Sequence, residues 1–265
     1  MTAMLTRLLD SLPPGTLPSG RTVEPEGGGP PPYWLSDAPV DPEVWVRMRS
    51  RHRETGLWPL LLSGLSGEES RPWADGEVYP AGTSSPDQHD AAELLARWWH
   101  ASTGADDDGD MLPAVDRAAI TAPFRRTWPG LAEPGDSVGP AAHFADRYAE
   151  FLRDEPARLG LVAATRGSDA LAVTGWSGPA NYHDTGEVAA VVRSWEERFG
   201  ARVVAVGFDT LHLSVAAPPA TPRHALRVAA EHFAFAPDNV WQGTDTLTAY
   251  AEEILGMNSW SFWWD

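Results

Sequence analysis

The chain contains no cysteine and no lysine among its 265 residues. The first absence excludes disulfides, thiolate nucleophiles, iron–sulfur ligation and cysteine zinc sites. The second excludes Schiff-base chemistry and the phosphate-gripping lysine of a P-loop. All twenty basic residues are arginine, as an arginine-biased, GC-rich genome gives, and solvated surfaces tolerate that exchange. Long apolar runs are missing too. Leu5, Leu8, Leu9 and Leu12 fall at helical spacing, but the chain has neither a signal-peptide core nor a stretch of membrane-spanning length. The expectation is a cytoplasmic protein that does not engage a membrane. Positive charge is also scarce, and the formal net charge is −17. Such a field repels phosphate backbones and favours a basic partner, although solubility alone also accounts for it. With no basic, aromatic-interleaved groove in view, nucleic acid is not expected as a partner.

A hydrophobic content of 43% is enough for a substantial core in one large domain or two small ones. We read residues 1–140 as an N-terminal region with long loops and two or three helices, and 141–265 as an α+β domain; the two could form one continuous globule. Residues 13–32 are rich in proline and glycine and should be a draped loop or a flexible arm. Asp41, Pro42 and Glu43 look like a helix start. The segment that follows carries Arg47, Arg49, Arg51 and Arg53, a basic strip that could pair internally or hold an anion. LWPLLL at 57–62 reads as a buried strand, and Ala91, Leu94, Leu95, Trp98 and Trp99 mark a helix over 88–103. Asp106, Asp108 and Asp110 invite a calcium reading. The glycine is at 109 instead of 111, however, and Arg117 stands where a bidentate glutamate is needed, so a solvated linker is expected.

From residue 141 the patterning sharpens. A helix through Phe144, Tyr148 and Phe151 is followed by LGLVAAT and ALAVTGW, read as two short strands joined by the turn RGSD. Asp184 and Glu187 resemble a capping box for a helix that Gly200 ends. RVVAVGF and TLHLSVA read as paired strands, and helices are expected after Thr221-Pro222 and Thr246. The closing WSFWWD should dock as a strand, because so much aromatic surface is costly to leave in water. Hairpins dominate over crossovers. The expected fold class is therefore α+β: a mostly antiparallel sheet with helices packed on one face and a Pro/Gly-rich N-terminal arm.

Four blocks in order, GWSGPANY at 175–182, RSWEERFGARVVAVGFDTLHLSVAAPP at 193–219, AAEHFAFAPDNVWQG at 229–243 and the terminal WSFWWD, resemble the bacterial family called domain of unknown function 4253. The resemblance is strongest over residues 158–265. TGLWPLLL at 55–62 and WPGL at 128–131 also resemble the longer, actinobacterial members. The resemblance implies no activity and no cofactor.

The densest polar cluster near apolar sequence is Glu231, His232, Asp238, Asn239 and Gln242. A histidine flanked by two carboxylates could act as a general base or take a metal. Yet the HExxH spacing that sets two ligands on one helical face is missing, and turn residues after Pro237 commonly satisfy their own backbone. Ser177 in GWSGP lacks the second glycine of a nucleophile elbow. Asn181 and Tyr182 beside Trp176 form a more credible binding lip, since phenol and indole offer flat apolar area with a polar edge. With no complete catalytic constellation, the leading expectation is a non-enzymatic binding or regulatory protein. It would recognise a protein, a basic one included, or a small ligand through Trp176, Asn181, Tyr182, Glu231, Asp238, Asn239, Trp241 and Gln242. The alternative is a hydrolase-type enzyme using Glu231, His232 and Asp238, with or without a metal; no metal site and no cofactor is assigned.

Overall fold

The computed structural model describes residues 2–104 and 114–265. The aspartate run at 106–110 lies outside them. A seven-stranded sheet organises the chain. Its strands are β1 (Gly20–Val23), β2 (Tyr33–Pro39), β3 (Leu57–Leu62), β4 (Arg158–Ala163), β5 (Arg202–Val206), β6 (Thr210–Ser214) and β7 (Ser259–Trp263). The spatial order is β1-β2-β4-β3-β5-β6-β7, and every neighbouring pair is antiparallel except β3 with β5. The class is α+β, as the sequence predicts. The Pro/Gly-rich stretch contributes the edge strand β1, which pairs with β2.

Alternation along the strands divides two cores. Trp58, Leu60 and Leu62 of β3 face the larger one, while Leu57 and Leu61 face the smaller. The helices expected on one face cover the larger core: α4 (Ala91–Thr103), α7 (Gly167–Thr174), α8 (Thr185–Phe199), α9 (Pro222–Phe235) and α10 (Leu247–Ile254). A second layer, α1 (Thr2–Asp10), α2 (Pro42–Ser50) and α6 (Ala141–Phe151), covers the smaller core through Leu5, Trp45, Met48, Ala145 and Tyr148. Two short helices complete the set, α3 (His52–Thr55) and α5 (Ala114–Ile120).

The helix starts follow their caps. The Glu43 amide donates to Asp41 at 2.9 Å, and the Gly186 amide donates to Asp184 at 2.9 Å. Gly200 ends α8 in the left-handed conformation. One element departs from expectation. The segment read as a second strand, ALAVTGW, is mostly the helix α7. Its Ala and Leu residues favour helix, and the Glu196 carboxylate accepts from the Ser168 amide and hydroxyl, both at 3.1 Å, satisfying the start that RGSD leaves uncapped. The neighbour of β4 on that side is instead β3, roughly a hundred residues earlier in the chain.

The C-terminal strand docks as its aromatics predict. Trp260, Phe262 and Trp264 are buried, and the Trp195 indole stacks on Phe262 with ring centroids 5.3 Å apart. No helix among the described residues is long and apolar enough to cross a membrane.

Candidate functional site

The polar cluster read from the sequence separates into three environments. Glu231 is fully buried on α9 and accepts four hydrogen bonds: from the Ala132 amide at 2.6 Å, the Trp195 indole at 2.8 Å, and Arg198 Nη1 and Nη2 at 2.8 and 2.6 Å. The bidentate guanidinium fixes the geometry, and the remaining donors satisfy the other lone pairs. This arrangement fastens the 128–135 strap to α8 and α9. Arg198 also donates to the Ala132 carbonyl, and Arg227 donates to the carbonyls of Pro129 and Leu131.

His232, the next residue, points elsewhere. It is fully buried among Trp195, Trp260, Phe262 and Tyr250, with Nδ1 3.1 Å from the Tyr250 hydroxyl and no partner at Nε2 among the described residues. Burial, with a smaller contribution from the charge of Arg198, holds its pKa well below the usual imidazole value, so it is neutral at physiological pH.

Asp238 lies at a third place, in the turn after α9. The Tyr182 hydroxyl donates to it at 3.0 Å, the Asp265 amide at 3.1 Å and Gln242 Nε2 at 3.3 Å. Gln242 Nε2 is also 3.5 Å from the Asp265 carboxylate, and Asn181 Nδ2 donates to the Asp265 carbonyl at 3.3 Å. Burial and then the Asp238 carboxylate push the Tyr182 phenol up to about 12. Asn239 faces inward and clasps the edge of β7, donating to the Ser261 carbonyl at 2.6 Å and accepting from the Trp263 amide at 3.2 Å.

Glu231, His232 and Asp238 therefore do not converge, and none is hydrogen-bonded to another. Trp176 is core as well. It is buried, donates to the Gly207 carbonyl at 2.9 Å and packs edge-on against Trp264. Trp241 is partly buried against Phe233. What comes together at the surface is a smaller lip of Asn181, Tyr182, Gln242 and Asp265 over the buried Asp238. Among the described residues, no group of three or more histidines and carboxylates is placed to hold a metal ion.

Two arrangements escaped the sequence reading. The Ser84 hydroxyl donates to Asp184 and lies 2.7 Å from His89 Nε2, a meeting across a hundred residues that no local motif announces. Here the serine sits between the acid and the histidine, whereas a nucleophilic triad needs the histidine between. Its proton points to Asp184, which also caps α8, so the group is a structural clasp. The second is a cleft of about 730 Å³ beside α2, α3 and the start of α6, lined by four arginines.

Residues 158–265, less than half of the chain, match a family model described as Domain of unknown function (DUF4253). That match supports assigning this segment to the family. No curated protein and no solved structure matches the chain.

Proposed function

We propose that the protein is a non-enzymatic binding module that recognises a basic protein segment at the lip of Asn181, Tyr182, Gln242 and Asp265. One observation supports this above others. The groups with acid–base potential, Glu231 and His232, are committed inside the fold, whereas amide, phenol and carboxylate edges stay exposed at the lip. Asp265, joined to the buried Asp238 by Gln242 and flanked by the half-exposed Tyr182 ring, suits a guanidinium group that pairs with its carboxylate and rests on an aromatic face. The net charge of −17 adds long-range attraction for such a partner. In the same reading the protein works in the cytoplasm of an actinobacterium, and its lysine-free composition fits a GC-rich coding bias.

Calorimetric titration with an arginine-rich peptide tests the proposal. Saturable binding that weakens with salt, and weakens about tenfold or more in a Gln242→Ala, Asp265→Asn variant, is the expected result; tenfold corresponds to roughly 1.4 kcal/mol. Absence of saturable binding, or equal affinity in the variant, overturns it.

A further inference from the structure

The cleft shares no residue with the lip, and its charge runs against the rest of the molecule. Arg49, Arg53, Arg166 and Arg202 line it against two carboxylates, Glu196 and Glu197, on a chain that carries −17 overall. These cations differ in how far they are already engaged. Arg49 is held bidentately by Asp146, at 2.5 and 2.8 Å, and locks α2 to α6. Arg166 reaches the exposed Glu197 at 3.2 Å and lies 4.0 Å from the buried Glu196; the Glu197 pair is solvent-exposed and therefore weak and exchangeable. Arg202 donates to the Ala201 carbonyl at 2.6 Å and makes no ion pair among the described residues. Arg53 is exposed and likewise has no ion pair among the described residues. The basic strip read from the sequence thus divides. Arg49 and Arg51 pair internally, the latter with Glu54, while Arg53 is left facing the cleft.

The backbone adds to this field. Helix α6 begins at the cleft with Pro140 in the cap position, which supplies no capping side chain, and Ala141 and Ala142 line the wall. The first amides of a helix point outward and carry its positive end. Two methyl side chains leave them approachable. On another wall stands the Trp58 indole, tied to the Val203 carbonyl and met edge-on by His52. The indole can approach so closely because residue 167 is glycine: a Cβ there would lie 2.9 Å from the ring. His52 Nε2 is 2.9 Å from the Ala164 carbonyl, so that nitrogen carries the proton and the ring is oriented.

We propose that this cleft binds a small phosphorylated molecule. Its phosphate would sit among Arg53, Arg166, Arg202 and the α6 amides, and its organic part would reach the accessible edge of the mostly buried Trp58 indole. A phosphate presents oxygens in three directions and two negative charges, which matches guanidinium groups arriving from separate elements together with a helix N-terminus. A single carboxylate, being planar, uses only one such fork. The volume lies in the range of small-ligand sites and is too small for a polymer.

The test is calorimetric titration of the full chain with inorganic phosphate, pyrophosphate and citrate, in chloride buffer at constant ionic strength. The expected result is one saturable site for pyrophosphate, weaker but measurable binding of phosphate, and citrate at least tenfold weaker than pyrophosphate. Arg53→Ala, at an exposed position, should lower pyrophosphate affinity at least fivefold without changing the circular dichroism. Arg53→Ala with Arg202→Ala should lower it at least thirtyfold, and Arg53→Lys should keep part of it. Failure of both phosphates to saturate, or affinity unchanged in Arg53→Ala and in the double variant, would overturn the assignment. Citrate binding as tightly as pyrophosphate would overturn the phosphate class. None of these outcomes bears on the arginine-rich peptide, whose site lies at the lip.

Discussion

Replacing Glu231 by glutamine changes one atom in a buried network whose accounting is complete. The carboxylate receives four donors on two oxygens. A glutamine side chain has the same shape but one acceptor oxygen. Whichever way the amide is turned, its NH2 faces a donor: Arg198 Nη2 and the Trp195 indole on one side, Arg198 Nη1 and the Ala132 amide on the other. The guanidinium, only 13% exposed, loses its counter-charge in a place water hardly reaches. Breaking a buried pair from one side costs about 3–5 kcal/mol, a large part of the roughly 5–15 kcal/mol that holds a domain folded. At about 2–4 °C per kcal/mol for a chain of this size, Glu231→Gln should melt on the order of 10 °C below the wild type. Urea unfolding followed by tryptophan fluorescence measures it, with an unchanged slope showing that the two end states are comparable. Adding Arg198→Met removes the orphaned charge, so the double variant should be less destabilised than the sum of the two singles by about 1.5 kcal/mol or more. A loss below about 1 kcal/mol for Glu231→Gln would refute the reasoning. Glu231 would then be no strut, and the acid–base reading of that residue would reopen.

Acid should weaken the fold through the fully buried His232 and through His183, whose ring nitrogens are buried. Burial lowers His183 to about 4; the carbonyls of Phe235 and Tyr182 pull the other way, but among the described residues neither ring nitrogen makes a well-formed hydrogen bond, and the ring stacks on Trp98. His232 is depressed further by its burial. The unfolded chain takes up these protons near pH 6.5 and the folded one does not, so their contribution is complete above pH 6.5 and fades as pH falls. For His183 alone the loss is on the order of 3 kcal/mol by pH 4. Urea midpoints between pH 7.5 and 4.5 should therefore fall less steeply in His183→Phe, and parallel slopes would contradict this. The isolated segment 158–265 should not fold cooperatively, because β3, which separates β4 from β5, lies outside it; a soluble fragment with a sharp melting transition would show otherwise. Gly175→Ala should cost at least about 2 kcal/mol, since its φ is +67° and a Cβ would stand 2.1 Å from the Pro80 nitrogen. Gly256→Ala, at φ +72° with nothing within 4 Å, should cost only about 1 kcal/mol, and equal melting temperatures for the two would discount the backbone clash.

Local signals in the sequence carried most of the elements. Asp41-Pro42, Asp184 with Gly200, and Thr221-Pro222 specify helix ends through side chains that act within three residues, and the structure places helices there. The terminal aromatics announced a docked strand because alternation is visible over five residues. α7 was misread because what stabilises its start is Glu196, 28 residues away in sequence. The sheet order was illegible for a related reason. Leu57–Leu62 looks like any buried strand, and nothing local says that its neighbours are β4 and β5. The site fared similarly. The sequence pointed to Tyr182, Asp238 and Gln242, which do meet, but placed Glu231 and His232 with them because adjacency in the chain does not reveal which way a helical side chain faces. On α9 successive residues diverge by about 100°, enough to send one to Arg198 and the other to Tyr250.

The two surface features divide differently across the family match. Asn181, Tyr182, Asp238, Gln242 and Asp265 all fall within residues 158–265, so the matched segment contains every residue of the lip. The cleft is bipartite. Arg166, Glu196 and Arg202 come from the matched segment, while Arg49, His52, Arg53, Trp58 and the start of α6 come from outside it. The two halves are registered by the same insertion that joins β4 to β5 in the sheet, since β3 pairs with both and delivers Trp58, opposite Val162, to a wall of the cleft. A change that slips β3 by one residue would turn Trp58 to the smaller core and carry the α2–α3 corner out of place, because side chains alternate faces. The lip is built from the loop before α8, the turn after α9 and the residue that follows β7, a strand at the far side of β5 in the strand order, and makes no such demand on β3. Deleting one residue between Thr55 and Trp58 should therefore abolish pyrophosphate binding before it affects the arginine-rich peptide. Loss of both together in a chain that still melts cooperatively would show that the two surfaces are not independent.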